Sequence, residues 1–113
     1  MTPEPNTTDA LHDEIIKMGT LRKSRSWNKR FFVLRKTSPP TLEYYDSERK
    51  YKIGKLKRSF SIEFPWAVVR KGDKKQQHQI EIFTENSSFA FACENRAVQD
   101  DWYMALENVI KPG

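Results

Sequence analysis

The side chains most able to do chemistry in this chain are its cations, and they are unevenly spread. Between Lys17 and Arg58 stand 14 Lys and Arg against three acids (Glu43, Asp46 and Glu48), a balance of +11, while the remainder carries −6. The whole-chain charge of +5 hides that division. A fold built on it is electrically polarised, and its positive side attracts a polyanion: nucleic acid, an anionic membrane surface or an acidic protein segment. The other reactive groups point away from catalysis. Cys93 is the single cysteine, so neither an internal disulfide nor a multi-thiolate zinc site can form, and a reducing compartment is favoured. His12 and His78 have no Cys or His at ligand spacing, so no metal is expected. No Gly-rich phosphate loop, nucleophile elbow or His and carboxylate pair occurs at a recognisable spacing. An enzyme is therefore not expected, and no cofactor is called for.

A chain of 113 residues is the size of one domain and can bury a core of its own, for which three Trp, seven Phe and four Tyr supply the bulk. Met1 to Asp13 is polar, carries Pro3 and Pro5, and reads as a disordered lead-in; the domain is expected over 14–111. No apolar run approaches the roughly 20 residues that span a bilayer, and the first residues lack the basic and apolar regions of a signal peptide. The expected location is cytoplasmic, peripheral at the inner face of the plasma membrane. The glycosylation sequons at Asn6 and Asn86 are then chance matches.

Short segments with β character follow one another along the domain. Ile16 to Lys23 and Lys29 to Arg35 form a hairpin across the polar turn Ser24-Arg25-Ser26. Ser38-Pro39-Pro40 breaks the chain before a third strand, Thr41 to Asp46, because proline cannot donate to a ladder. Asp46 to Leu56 reads as a long, lysine-rich loop. Lys57 to Glu63 and Trp66 to Lys71, split by Pro65, are the fourth and fifth strands. His78 to Thr84 and Ser88 to Cys93 complete the set of seven, with Ile80 and Ile82 sharing one face, and Phe89, Phe91 and Cys93 another. The period then changes: Val98, Trp102, Ala105, Leu106 and Val109 recur at helical spacing behind the N-cap Asn95, and Pro112-Gly113 stops the helix. Its apolar stripe must be buried against the open end of the curved sheet. Phe31, Phe32, Phe89, Phe91 and Trp102 are expected in the core.

Seven strands closed by one helix with a central Trp resemble the pleckstrin-homology (PH) fold, a seven-stranded antiparallel β-sandwich or barrel capped by a C-terminal helix. The residues that carry the resemblance are Gly19-Thr20-Leu21-Arg22-Lys23, Trp27 to Leu34, Leu42-Glu43-Tyr44-Tyr45 and Gln99 to Leu106. Within the family the chain is most similar to the N-terminal domains of insulin receptor substrate adaptors, with Dok adaptors next. The resemblance implies a non-catalytic membrane-recruitment module of a receptor tyrosine kinase signalling adaptor, excised ahead of a phosphotyrosine-binding domain and monomeric.

The same resemblance implies a site. Phosphoinositide-binding members use Lys, then Lys or Arg, one residue, and Arg across the first hairpin; Lys23 matches the first position and Arg30 the last. Arg25 in the turn, Lys29 beside Arg30, and the Tyr45 hydroxyl join them as candidates, with Lys50 and Lys52 from the following loop. Lys and Arg suit inositol phosphates because they donate charge-assisted hydrogen bonds to dense negative charge. Asn28 stands where the family pattern has Lys or Arg, and Lys29 cannot replace it because strand neighbours face opposite ways. Modest affinity for phosphoinositides is therefore expected, with Arg49, Lys50, Lys52, Lys55, Lys57 and Arg58 adding attraction of about 1 kcal/mol each near an anionic leaflet. Trp27 is either a packed loop anchor or an interfacial aromatic. The alternative reading is a protein-interaction module for acidic or phosphorylated segments, or for an activated receptor. Nucleic acid is not expected, since the aromatics alternate into the core and leave few rings to stack on bases.

Overall fold

The computed structural model describes residues 15–63 and 65–111. The expected lead-in and the Pro112-Gly113 stop lie outside the described residues. Seven strands and two helices follow in the order β1 (Ile15–Lys23), β2 (Asn28–Arg35), β3 (Thr41–Tyr45), α1 (Glu48–Lys52), β4 (Arg58–Ser61), β5 (Ala67–Lys71), β6 (Gln79–Phe83), β7 (Ser88–Ala92) and α2 (Arg96–Ile110). The strands form one antiparallel sheet of order β4-β3-β2-β1-β7-β6-β5.

The sheet closes on itself, and the side chains show how. β1 pairs with β2 along its length but with β7 only at Arg22↔Ala92 and Lys23↔Phe91. The seam to β7 is thus short, and the two halves turn about it. Three strands separate β4 from β7 in the sheet order, yet Phe60 of β4 stacks on Phe89 of β7 at 4.9 Å. Phe32 meets Phe91 across the same interior at 5.1 Å. The core between the halves holds Leu21, Phe32, Leu34, Leu42, Ile80, Ile82 and Phe91. They are the inward members of each strand's alternation.

α2 fills the gap where β1 diverges from β7. Its stripe enters the core at Trp102 and Leu106, 1% and 0% exposed. Trp102 meets Phe91 edge-on at 6.2 Å and lies under the Lys17 ammonium at 5.7 Å. Asn95 caps the helix as expected, its Oδ1 accepting from the Val98 N–H at 2.9 Å. Gln99 ties α2 to the sheet by donating to the carbonyls of Gln79 (2.9 Å) and Lys71 (3.3 Å).

Two features depart from the expected pattern. The stretch Asp46 to Leu56 is not all loop, because α1 lies within it. Ser47 caps α1 by accepting from the Lys50 N–H at 3.2 Å, and Glu48 in its first turn with basic residues in its last complement the helix dipole. Five residues do not hold a helix unaided. Tyr51 supplies the anchor, its ring 5.2 Å from both Phe31 and Tyr45 on the outer face of the sheet. That contact explains the second feature. Phe31 and Phe32 are both buried, but in separate clusters on the two faces, Phe31 with Val33 and Tyr45 beneath α1.

Candidate functional site

Three connections gather at one end of the barrel. The β1–β2 turn starts where Lys23 pairs with Asn28. β3 runs antiparallel to β2 with Tyr45 opposite Phe31, so the β3–β4 connection leaves at this end too. β7 extends past Lys23, its Ala90 carbonyl accepting from the Ser24 N–H at 2.9 Å, which puts the β6–β7 turn alongside. The β5–β6 turn lies on the flank, where Gln76 shares a groove with Arg22 and Lys29.

Alternation decides which cations face the interior at this mouth. Lys23 is two residues from Leu21, Arg30 two from Phe32, and Arg58 two from Phe60, so all three rise from the inner face. Lys23 sits over the Tyr44 ring at 5.4 Å and donates from Nζ to the Ser24 carbonyl at 3.1 Å. Arg58 sits over Phe60 at 4.8 Å. Burial first, and then the positive fields of Arg58, Arg30 and Arg25, push the Lys23 ammonium below its usual pKa. Four cations therefore share one neighbourhood and repel one another there. One carboxylate moderates them: Asp46 lies 3.6 Å from Arg30 Nε and 3.5 Å from Lys57 Nζ. Among the described residues Lys23, Arg25 and Arg58 have no ion-pair partner. A group with several anionic oxygens would relieve that repulsion.

The candidate residues divide accordingly. Lys23, Arg25 and Arg30 come together. Lys29 faces outward beside Arg22, in a groove with Gln76 and Glu94. Tyr45 is on the outer face, and its hydroxyl donates to Glu43 Oε1 at 2.7 Å. Glu43 also holds Arg35 at 3.1 Å. Burial and that carboxylate push the Tyr45 phenol up to about 12. The ring that lines the mouth is Tyr44. Lys50 and Lys52 ride on α1, with Lys52 loosely paired to Glu48 at 3.9 Å. Trp27 is half-buried and closes the β1–β2 turn at φ +62°, its N–H donating to the Lys23 carbonyl at 2.7 Å.

Two mouth residues were not singled out by sequence reasoning, and both had a signal. Tyr44 follows Leu42 by two, so an inward Leu42 implies an inward Tyr44. Arg58 precedes Phe60 by two in the same way, and was weighed only as one of six diffuse charges. Cys93, 8% exposed in the core, has its thiol pushed up to about 12 by burial.

Comparison with known proteins bears on this arrangement. The sequence profile described as PH domain matches residues 11–111. Insulin receptor substrate 2-A of Xenopus laevis is 39% identical over 116 residues, covering 96% of this chain and 11% of that protein. Insulin receptor substrate 1 of Mus musculus is 41% identical over 108 residues, covering 90% of this chain and 9% of that protein. The chain thus spans about a tenth of the length of the curated relatives it matches. Among solved structures, the C-terminal PH domain of pleckstrin superposes with TM-score 0.68 at 22% identity, covering 86% of this chain and 97% of that one. The same domain in complex with D-myo-Ins(1,2,3,5,6)P5 gives TM-score 0.70 at 22% identity, over 86% of this chain and 96% of that one.

Proposed function

The chain belongs to the PH domain family, and on that premise we propose that it is the membrane-recruitment module of an insulin receptor substrate-like signalling adaptor. Its mouth binds the phosphoinositide headgroup with modest affinity, at the cytoplasmic face of the plasma membrane. The observation that carries this reading is the convergence of Lys23, Arg25, Arg30 and Arg58 on one end of the barrel, where burial and then the neighbouring guanidinium charges lower the Lys23 pKa. The pleckstrin domain solved with an inositol pentakisphosphate supports it by analogy of fold. The work required is binding and not bond-making. Phosphate oxygens accept charge-assisted hydrogen bonds from the ammonium and guanidinium groups, and their charge offsets the mutual repulsion of those groups.

Asn28 sets the expected strength. It occupies the inner-face position between Lys23 and Arg30, where an added cation would complete the ring. Asp46 competes with the ligand for Arg30. Both features argue for modest affinity in place of tight selection among phosphoinositides.

The test is binding to vesicles with and without individual phosphoinositides at physiological salt, comparing wild type with Lys23→Ala and Arg30→Ala. Each substitution is expected to weaken phosphoinositide-dependent binding about tenfold, the loss of one charge-assisted contact. Binding indifferent to phosphoinositides and to both substitutions would discard the headgroup reading in favour of an acidic or phosphorylated protein segment. A signal that depends on salt but not on phosphoinositide identity would assign the affinity to diffuse attraction.

A further inference from the structure

The β3–β4 connection leaves α1 through a turn that holds two apolar side chains in solvent. Ile53 is 55% exposed and Leu56 48%, and neither packs against either core cluster. The turn is nonetheless well bonded. The N–H of Ile53 donates to the Arg49 carbonyl at 3.2 Å, that of Gly54 to Tyr51 at 3.0 Å, and that of Lys55 to Lys50 at 2.8 Å. Gly54 takes φ +74°, the left-handed conformation that glycine supplies at a helix end. Tyr51 ties the unit to the sheet through Phe31 and Tyr45. The backbone is thus held while the two aliphatic groups are given nothing to bury against.

Their surroundings indicate what covers them. From Arg49 to Arg58 the sequence holds six cations and no acid. Lys52 and Lys57 are paired with Glu48 and Asp46, while Arg49, Lys50, Lys55 and Arg58 have no ion-pair partner among the described residues. Aliphatic tips interleaved with unpaired lysines match the boundary layer of an anionic bilayer. There the apolar groups reach the acyl edge, and the ammonium groups snorkel back to the phosphates. The turn also leaves the barrel at the same end as the cationic mouth, so one membrane plane can meet both.

We propose that the Ile53–Leu56 turn is a membrane-insertion element: Ile53 and Leu56 enter the interface of an anionic bilayer while Lys50 and Lys55 pair with its headgroups. The proposal rests on the mouth as a headgroup site and adds a contact of different chemistry, apolar and insensitive to headgroup identity.

The experiment separates the two. Partition onto phosphatidylcholine and phosphatidylserine vesicles containing a phosphoinositide is measured beside calorimetric binding of soluble inositol hexakisphosphate. The double variant Ile53→Ser, Leu56→Ser is expected to lower vesicle partition about tenfold, equivalent to about 1.4 kcal/mol, with hexakisphosphate affinity and melting temperature unchanged. Lys23→Ala with Arg30→Ala is expected to lower both. An environment-sensitive dye on Ile53→Cys should shift to the blue when vesicles are added. Vesicle binding unaltered in the serine variant, or an unmoved dye, would overturn insertion while leaving the mouth intact. If wild type ignores hexakisphosphate but the serine variant still loses vesicle binding, the mouth reading falls and insertion stands. Wild type that binds neither probe overturns both.

Discussion

Lys23 is held as a cation in a place that penalises its charge. Burial and three guanidinium neighbours lower its pKa, so the folded chain gives up this proton more readily than the unfolded one. The charged form therefore costs the fold stability at every pH below the folded value. That cost fades as pH climbs from the folded value to the unfolded one, near 10.5. A bound polyanion reverses the local field and raises the pKa again, so binding should take up protons in the window just below 10.5. Carbon-13 NMR titration of the lysine ε-methylene resonances is the check: the Lys23 midpoint is expected below the ordinary lysine value and should move upward with inositol hexakisphosphate. A midpoint that ignores the ligand would remove Lys23 from the site. Asp46 works in the opposite direction. Its carboxylate lies within 3.6 Å of Arg30 and 3.5 Å of Lys57, on a side chain 51% exposed, where an ion pair contributes at most about 1 kcal/mol to stability. Asp46→Asn is expected to lower the melting temperature by at most about 5 °C and to raise hexakisphosphate affinity severalfold by calorimetry. Unchanged or weaker affinity would mean that the ligand does not engage Arg30.

Elements, in their turn, hold these residues at the mouth. The β5–β6 turn depends on a close backbone approach. A Cβ at Gly72 would lie 1.9 Å from the Gln77 carbonyl oxygen, so only glycine fits. Asp73 Oδ1 accepts from the N–H groups of Lys75 and Gln76 at 2.9 and 2.8 Å, and Gln79 Nε2 donates to the Gln76 carbonyl at 2.9 Å. Gln99 of α2 then donates to the Gln79 carbonyl, which links the turn to the closing helix. Gly72→Ala is expected to destabilise by about 1–3 kcal/mol, as overpacking does, read as a lowered thermal midpoint. The turn supplies none of the four mouth cations, so hexakisphosphate binding below the melting range should persist. A variant that keeps its stability would show that the turn can relax; one that folds but loses binding would show that the turn supports the mouth through the groove Gln76 shares with Arg22 and Lys29.

For the molecule as a whole, α2 locks the two sheet halves together. Trp102 is fully enclosed between Gly19, Phe91 and the Lys17 side chain. Trp102→Ala is expected to cost about 3–5 kcal/mol, a large part of a small domain's stability. Chemical denaturation measures it; a loss under about 1 kcal/mol would mean that the closure does not depend on the helix. The charge division acts at the same scale. Under the proposed function it turns the mouth end toward an anionic surface, and vesicle binding should then weaken as salt shortens the range of the field.

Strand alternation and the change to helical period at Val98 are local properties, so the seven strands, α2 and the core places of Phe32, Phe91 and Trp102 were legible in the sequence. The hairpin that places Lys23 near Arg30 is also local, so that juxtaposition within the candidate site was legible in the sequence. What could not be read was decided by contacts between distant segments. α1 depends on the docking of Tyr51 against Phe31 and Tyr45, and a five-residue helix has no period long enough to announce itself. Arg58 joins Lys23 because β4 lies beside β3 and the barrel closes through Phe60 and Phe89. Tyr44 takes the inward place and Tyr45 the outward one because the pairing register of β3 settles which face each ring meets. Composition and period thus determined the fold class and the anion-seeking character of one stretch; only closure of the sheet decided which cations meet, since that requires strands far apart in sequence to share one end.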